Sequence, residues 1–153
     1  MRAGQALAVA FWADKTLAEL SSGEWEALCD GCGKCCLHKL EDEDTGRLYY
    51  TDVACRLLDV RRCRCRDYAH RHEQVPDCLR LTLLEPESFH WLPKTCADRL
   101  RFEGKPLFPW HPLISGDPAS VHAASVSVSG WAVSEVDLPI DTDLQAHILA
   151  DAR

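Results

Sequence analysis

Polar residues followed by apolar ones mark the starts of short helices in the first third of the chain. Segments 16–19 and 21–24 both have the spacing of a capping box, in which a hydroxyl and a carboxylate satisfy free amides at a helix start. Trp25 and Leu28 follow the second box. The pattern therefore predicts a short helix that ends where Cys29 begins.

Alternating and β-branched residues predict short strands farther along the chain. Segment 47–51 has strand composition, and segment 57–60 continues as a second short strand. Segment 126–133 alternates like a half-buried strand, interrupted at Gly130. Segment 62–66 reads Arg-Cys-Arg-Cys-Arg, and this spacing favours an extended or turn segment rather than a helix. An extended backbone would place both sulfurs on one face and the arginines on the other.

Prolines limit the elements of the second half, because seven of the eight lie between positions 76 and 118. We expect short helices at 87–91, 96–102 and 119–124, and a terminal helix at 141–149. The predicted fold class is α+β: a small single domain of short helices, short strands and long loops, stabilised by cysteine-ligated metal. We expect this one domain to span residues 1–153, with a core at about 11–135 and an acidic C-terminal tail at 136–153.

Composition excludes several classes of protein. Apolar residues make up 46% of the 153 residues, and no run approaches the roughly 18 apolar residues of a membrane span. The net charge of −7 does not favour nucleic acid as a partner, although segment 56–80 holds seven arginines. The apolar run at 6–12 is too short for a secretory signal, so we expect a cytoplasmic protein.

Cysteine content is the unusual feature of the composition. The chain has nine cysteines, an odd number that cannot close into disulfides alone. In a reducing cytoplasm, clustered cysteines more often bind metal or perform redox chemistry. The candidate metal ligands are therefore Cys29, Cys32, Cys35, Cys36, Cys55, Cys63, Cys65, Cys78 and Cys96.

Four of these cysteines lie within eight positions, and their spacing indicates chelation. Cys29, Cys32 and Cys35 are separated by two residues each, which lets a tight turn aim sulfurs at one ion. Cys36 is adjacent to Cys35, and neighbouring side chains are expected to diverge. The pair therefore indicates either two sites that share the loop or one ligand beside a spare thiol. Spacing leaves zinc, iron and an iron–sulfur cluster open as the cofactor.

Three further hypotheses rest on other residues. His38 could complete a site of three cysteines and one histidine. If the metal were catalytic, His111, Asp98 and Arg99 near Cys96 would be the first residues to test, and no catalytic residue is assigned. Alternatively, the arginines at 61–66 could form a surface for a nucleic acid or a protein partner.

Several segments together resemble the CxxCxxCC family of bacterial proteins, named for chelation of zinc or iron, and within it the YcgN-like subgroup. They are 25–29, 35–39, 51–58, 63–68, 76–78, 91–93, 95–97 and 110–113. The resemblance implies a cytoplasmic, single-domain metal chelator with all nine cysteines as candidate ligands, and it brings no established reaction. Asp98 departs from the family pattern, which has an aromatic residue there. The wider superfamily includes a flagellin lysine methylase with a similar cluster, which keeps a modification reaction open by analogy.

Overall fold

The computed structural model describes residues 10–79 and 81–149, and the chain divides into two compact units. Unit 1 comprises residues 1–30 and 81–124, and unit 2 comprises residues 31–80 and 125–153. Most of the apolar run at 6–12 lies outside the described residues. In the part of the chain that is described, no helix is long and apolar enough to cross a membrane.

The elements are short, and helices and strands are mixed. The α-helices are α1 (Phe11–Asp14), α2 (Ser22–Leu28), α3 (Arg71–Gln74), α4 (Ala97–Phe102), α5 (Pro112–Ser115) and α6 (Ser120–Ala123). The strands are β1 (Leu37–Glu41), β2 (Leu48–Ala54), β3 (Leu58–Asp59), β4 (Arg64–Cys65) and β5 (Val133–Ser134). Segments of 3₁₀ helix lie at Leu17–Glu19, Lys34–Cys36, Tyr68–His70, Pro86–Trp91, Glu135–Asp137 and Leu144–His147. The predicted mixture of short helices and strands is confirmed.

The start and end of α2 follow directly from local sequence. Ser21 Oγ accepts the amide of Glu24 at 3.2 Å, and Glu24 Oε1 accepts the amide of Ser21 at 2.9 Å. This reciprocal pair is the predicted capping box. The helix ends at Leu28, and Cys29 follows in extended backbone, as predicted.

Unit 1 is built around aromatic side chains. Phe89 is 1% exposed and stacks on Phe102 with ring centroids 4.3 Å apart. Trp25 of α2 lies 6.5 Å from the Phe89 ring. The 3₁₀ segment Pro86–Trp91 and helix α4 supply this contact, so the helices predicted at 87–91 and 96–102 are confirmed with small shifts.

Unit 2 is built around a three-stranded sheet of order β1-β2-β5 and a β3-β4 hairpin. Strand β1 pairs antiparallel with β2, and β5 adds to β2 in parallel through Val53 and Val133. Residues from the strands and the loop before β5 form the core: Leu37, Tyr50, Ala54, Leu58, Cys63 and Val128. Cys36 packs against this core, which places the cysteine loop directly on the sheet.

The strand predicted at 126–133 is wrong over most of its length. Only Val133 and Ser134 pair as a strand, and Ser125 has a φ of +61° that breaks an extended backbone at the start of the segment. The amides of Val128 and Ser129 instead point at the sulfur of Cys63. Tertiary contacts therefore override the local alternation.

The predicted terminal helix at 141–149 is reduced to the 3₁₀ segment Leu144–His147. The chain beyond it adds to the sheet, because Ile148 bridges to Thr51 and the amide of Leu149 donates to the carbonyl of Tyr50 at 2.8 Å. The His147 ring is hydrogen-bonded to Asp52 at 2.9 Å. The end of the described chain is thus fastened to strand β2.

Candidate metal centre

The nine candidate ligands are divided between the two units. All nine lie in the described residues, and none forms a disulfide. Cys29 and Cys96 belong to unit 1 and the other seven to unit 2, so the boundary falls inside the cysteine motif, between Asp30 and Gly31. Unit 2 therefore contains most of the candidate cysteine ligands.

Glycine shapes the loop that presents the clustered cysteines. Gly33 has a φ of +76°, in the left-handed region that side chains rarely adopt. A Cβ at this position would lie 2.9 Å from Cγ2 of Val128 and 3.2 Å from Cβ of Cys63. Only glycine fits this close approach. The chain then turns through the 3₁₀ segment Lys34–Cys36 into strand β1.

The adjacent pair Cys35 and Cys36 does not diverge as predicted. The two thiols are hydrogen-bonded to each other, and this contact raises the pKa of Cys36. Burial raises that pKa further, as does the negative charge that Cys35, Cys55 and Cys78 would carry as thiolates. The tight 3₁₀ turn, which the spacing argument did not anticipate, brings the neighbouring side chains together.

Three cysteines from later segments lie beside this pair. Burial raises the pKa of Cys55 and that of Cys78, and the charge of Cys65 raises both pKa values further. The charge of Cys35 also raises the pKa of Cys78. Cys35, Cys36, Cys55, Cys65 and Cys78 thus form one electrostatically connected set, here called the five-thiol group.

Lys39 supplies positive charge beside the five-thiol group. Its Nζ donates to the carbonyls of Cys35 and Leu37, both at 2.9 Å, and lies 5.1 Å from the ring centroid of Tyr50. Burial lowers the pKa of Lys39, whereas the negative charges of Cys35, Cys36 and Cys78 raise it. The ammonium group both closes the loop and offsets the charge of nearby thiolates.

Cys63 has different surroundings from the five-thiol group. It is buried, and its φ of +59° turns the backbone out of an extended conformation. Burial raises the pKa of Cys63, while hydrogen bonds from the Ser127 side chain and the amides of Ser129 and Val128 lower it. Of the two predicted conformations, extended or turn, the segment adopts a turn at Cys63, so the shared face of the fully extended case does not apply.

Cys32 is also buried within unit 2. Its sulfur accepts the amide of Lys34 at 3.5 Å, and its carbonyl accepts the amide of Val128 at 2.9 Å. Gly33, the next residue, contacts both Val128 and Cys63. Cys32 and Cys63 thus belong to the packed interior around Val128.

The thiols do not form a complete coordination shell as they stand. Across residues 10–79 and 81–149, no three histidine, cysteine, aspartate or glutamate side chains converge closely enough to hold a metal ion. The donor set nevertheless fits a soft or borderline metal, because several thiols interact with one another and a cation lies beside them.

His38 contacts a carboxylate in unit 2. Its Nε2 lies 3.1 Å from Oε1 of Glu135, and Oε2 of Glu135 accepts the amide of Arg56 at 2.6 Å. The charge of Glu135 also contributes to the raised pKa of Cys55. His38 and Glu135 line a cavity of about 240 Å³ whose remaining walls include Val53 and Leu144. This pair places a carboxylate and an imidazole at the edge of the five-thiol group.

In unit 1, His111 and Arg99 have structural partners. The His111 Nε2–H donates to the carbonyl of Leu28 at 2.6 Å, and its Nδ1 accepts the amide of Leu113 at 3.0 Å. The ring is 2% exposed, so both nitrogens are used inside the fold. Arg99 donates to the carbonyl of Leu92 at 2.7 Å and pairs with Glu103 at 3.0 Å.

Asp98 is the third residue singled out near Cys96. Burial raises its pKa to about 7, and the negative charges of Glu26 and Asp30 add to this shift. Oδ1 of Asp98 is buried and has no hydrogen-bond partner among the described residues. The carboxyl group is therefore poorly accommodated in its ionised form.

Sequence reasoning missed Lys39 and Glu135, which lie beside the five-thiol group. Lys39 lies four positions after Cys35, but an isolated lysine on a strand gives no signal of its own. Glu135 is 80 positions from Cys55 and reaches it through the parallel pairing of β2 and β5. Only the fold reveals such distant neighbours.

Comparison with known proteins gives a consistent result. Residues 28–97 match the family model CxxCxxCC, described as "Putative zinc- or iron-chelating domain". A UPF0260 protein of Rhodobacter capsulatus is 59% identical over 142 residues, covering 92% of this chain and 94% of that protein. UPF0260 proteins of Cellvibrio japonicus (59% over 139 residues; 91% and 94% covered) and Nitrobacter hamburgensis (56% over 138 residues; 90% and 81% covered) are similar. No solved structure matches the chain.

Proposed function

The chain belongs to the UPF0260 family, with a cysteine region of the CxxCxxCC type, and from this premise we propose that it binds zinc or iron through thiolates of unit 2. The five-thiol group supplies the ligands: Cys35, Cys36, Cys55, Cys65 and Cys78. Its biological role is that of a metal-binding protein whose centre also holds the fold of unit 2 together.

One observation supports this ligand set above the other cysteines. Negative charge on Cys35, Cys55, Cys65 or Cys78 raises the pKa of a neighbouring thiol in the group. The five thiols come from the cysteine loop, the end of β2, strand β4 and the segment after α3. A metal bound there would cross-link four segments that are otherwise joined by short strands. Such cross-linking is the usual contribution of a structural metal to a small fold.

The raised pKa values argue against a nucleophilic role for these cysteines. Cys36, Cys55 and Cys78 are protonated at neutral pH without metal, because their pKa values lie above the ordinary value. A nucleophilic cysteine needs the opposite shift. Because a metal ligand must be the thiolate, binding displaces protons, and the apparent affinity should rise with pH.

Lys39 fits the charge requirement of such a centre. A zinc ion with four thiolates carries a net negative charge, and the Lys39 ammonium lies beside Cys35 and Cys36 in the only position on β1 that offers a cation. It is expected to strengthen binding without being a ligand. Thiols that bind metal must stay unoxidised, so we propose a reducing compartment such as the cytoplasm as the location of the protein.

The test is metal content of single-cysteine variants purified anaerobically under reducing conditions. We expect Cys36→Ser and Cys55→Ser to lose most of the metal measured by elemental analysis. The matched control is Cys29→Ser, an exposed cysteine of unit 1, which should keep it. Equal loss in all three variants would contradict the ligand assignment, and a metal-free wild-type protein that keeps its fold would contradict metal binding itself.

An absorption spectrum of the same sample distinguishes the metals. A colourless protein with zinc indicates thiolate zinc. A brown protein with broad visible charge-transfer absorption indicates an iron–sulfur cluster. Cobalt substitution of a zinc form would then report the number of thiolate ligands directly.

A further inference from the structure

The β3-β4 hairpin of unit 2 presents four arginines on a short stretch of chain. Leu58 pairs with Cys65 and Asp59 with Arg64 across the hairpin. The amide of Arg66 donates to the carbonyl of Leu57 at 2.7 Å and closes its base. Arg61 and Arg62 occupy the turn, Arg64 lies on β4 and Arg66 follows that strand.

The turn of this hairpin is held in one conformation. Oδ1 of Asp59 accepts the amides of Arg61 at 3.0 Å and Arg62 at 3.1 Å. The amide of Cys63 donates to the carbonyl of Asp59 at 2.7 Å, and the Cys63 side chain is part of the unit 2 core. These contacts anchor the hairpin tip to the interior of unit 2. A partner that binds there therefore loses little free energy to ordering of the hairpin backbone.

The four guanidinium groups are exposed and have no hydrogen bond or ion pair with another residue that the structure describes. The other described arginines differ, because each contacts a carbonyl, a carboxylate or an aromatic ring. They are Arg47 over Tyr49, Arg56 on Gln74, Arg71 on Tyr68, Arg99 on Glu103 and Arg101 on Lys105. Asp59 offsets one of the four charges through its proximity to Arg62 and Arg66.

The chemistry of the hairpin fits carboxylates. Arginine forks bind carboxylate or phosphate with two parallel hydrogen bonds. Single-stranded nucleic acid also needs aromatic stacking platforms. Near the hairpin, the exposed aromatic residue is Tyr68, and the Arg71 guanidinium already lies 3.7 Å from its ring centroid.

We propose that the hairpin arginines Arg61, Arg62, Arg64 and Arg66 form a docking surface for a short acidic segment of a partner protein. The proposal does not depend on the metal centre. It assigns the arginine-rich stretch a role separate from the thiols that alternate with it.

The test uses the full, metal-loaded protein and a fluorescent peptide of about ten residues containing glutamate at alternate positions, followed by anisotropy at about 50 mM salt. The variant Arg61→Glu/Arg62→Glu should bind about tenfold more weakly, or worse. The control Arg47→Glu/Lys94→Glu changes the net charge equally at exposed positions elsewhere and should bind like wild type. Hydrogen exchange of β1 and β2 verifies the fold of both variants.

Three outcomes would overturn the proposal. Equal weakening in the control variant would show that only net charge matters. Tighter binding of a single-stranded oligonucleotide of the same charge than of the peptide would assign the surface to nucleic acid. Concentration-dependent self-association that Arg61→Glu/Arg62→Glu abolishes would show that the occupant is a second copy of this chain.

Discussion

The two units obtain their stability in different ways. Unit 1 buries aromatic rings between helices, with Phe89 stacked on Phe102. Unit 2 has a small core, strands as short as two residues, and seven cysteines, five of which form the five-thiol group. Aromatic packing is the main feature of unit 1, whereas we propose that a metal bound to thiolates completes unit 2. Five predictions test this difference, from the largest effect to the smallest.

Removal of the metal should produce the largest difference in stability between the two units. Chelation under reducing conditions should abolish amide protection in strands β1 and β2, whereas helices α2 and α4 of unit 1 should keep theirs. Thiolate zinc contributes on the order of 10–16 kcal/mol in zinc-finger peptides, which exceeds the stability of a small unit. Hydrogen exchange with peptide resolution measures this. Uniform loss across the chain, or none, would show that the units do not differ in this way.

Truncation of the aromatic core should have the complementary effect. Phe89→Ala removes a ring that is 1% exposed, and we expect the free energy of unfolding to fall by about 3–5 kcal/mol. Denaturant titration of unit 1 measures the loss, and metal content at low temperature should stay unchanged. The control is Leu84→Ala, at a side chain 91% exposed, with an expected change within about 0.5 kcal/mol.

Asp98 should make unit 1 less stable as pH rises. An unfolded aspartate titrates near pH 3.9, whereas burial raises the folded pKa to about 7, so the folded chain holds the extra proton between these values. The stability that the protonated form provides is complete below about pH 4 and is lost as pH approaches 7, a change of about 2–4 kcal/mol. Asp98→Asn should flatten this slope in metal-stripped protein. An unchanged slope would show that Asp98 is ionised at ordinary pH.

Substitutions of His111 distinguish a structural role of this side chain from a role as a metal ligand. His111→Ala removes the hydrogen bonds to Leu28 and Leu113, so the free energy of unfolding should fall by about 2 kcal/mol while metal content stays unchanged. His111→Asn should recover part of that loss, since asparagine also caps a helix. If His111→Asn folds well yet loses metal, the ring is a ligand and the structural assignment is wrong.

Lys39 should affect metal affinity more than the fold. Lys39→Met removes the ammonium from the carbonyls of Cys35 and Leu37, and the apparent metal affinity should fall about tenfold. Lys39→Arg should restore part of it. Competition with a coloured chelator measures both variants. Equal affinities for Lys39→Met and the wild-type protein would mean that charge at this position is irrelevant to the centre.

Local signals were sufficient where the cause of structure is local. The capping box at Ser21 and Glu24 and the helix end at Cys29 involve residues within eight positions, and both are confirmed. Strand β1 was not predicted, because Leu37–Glu41 becomes a strand only by pairing with β2. The alternation of apolar and polar residues at 126–133 was misleading, because amides of this segment donate hydrogen bonds to the distant Cys63 sulfur.

The candidate site shows the same limit. Residue spacing identified all nine cysteines as candidate metal ligands. It could not show which of them lie together in one site. The five-thiol group depends on contacts between positions as far apart as 35 and 78. The hydrogen-bonded pair Cys35 and Cys36 depends on the tightness of a single 3₁₀ turn, which residue spacing does not encode.

The order of the chain has a consequence for synthesis. Unit 2 combines residues 31–80 with residues 125–153, so its cysteines leave the ribosome well before β5 and the segment that Leu149 fastens to β2. At about 5–20 residues per second, the thiols of the nascent chain wait several seconds for the rest of their unit. During that interval they are open to oxidants and to any metal donor. The order of segments along this chain therefore sets how long the thiols of unit 2 are synthesised ahead of the strand that completes their sheet.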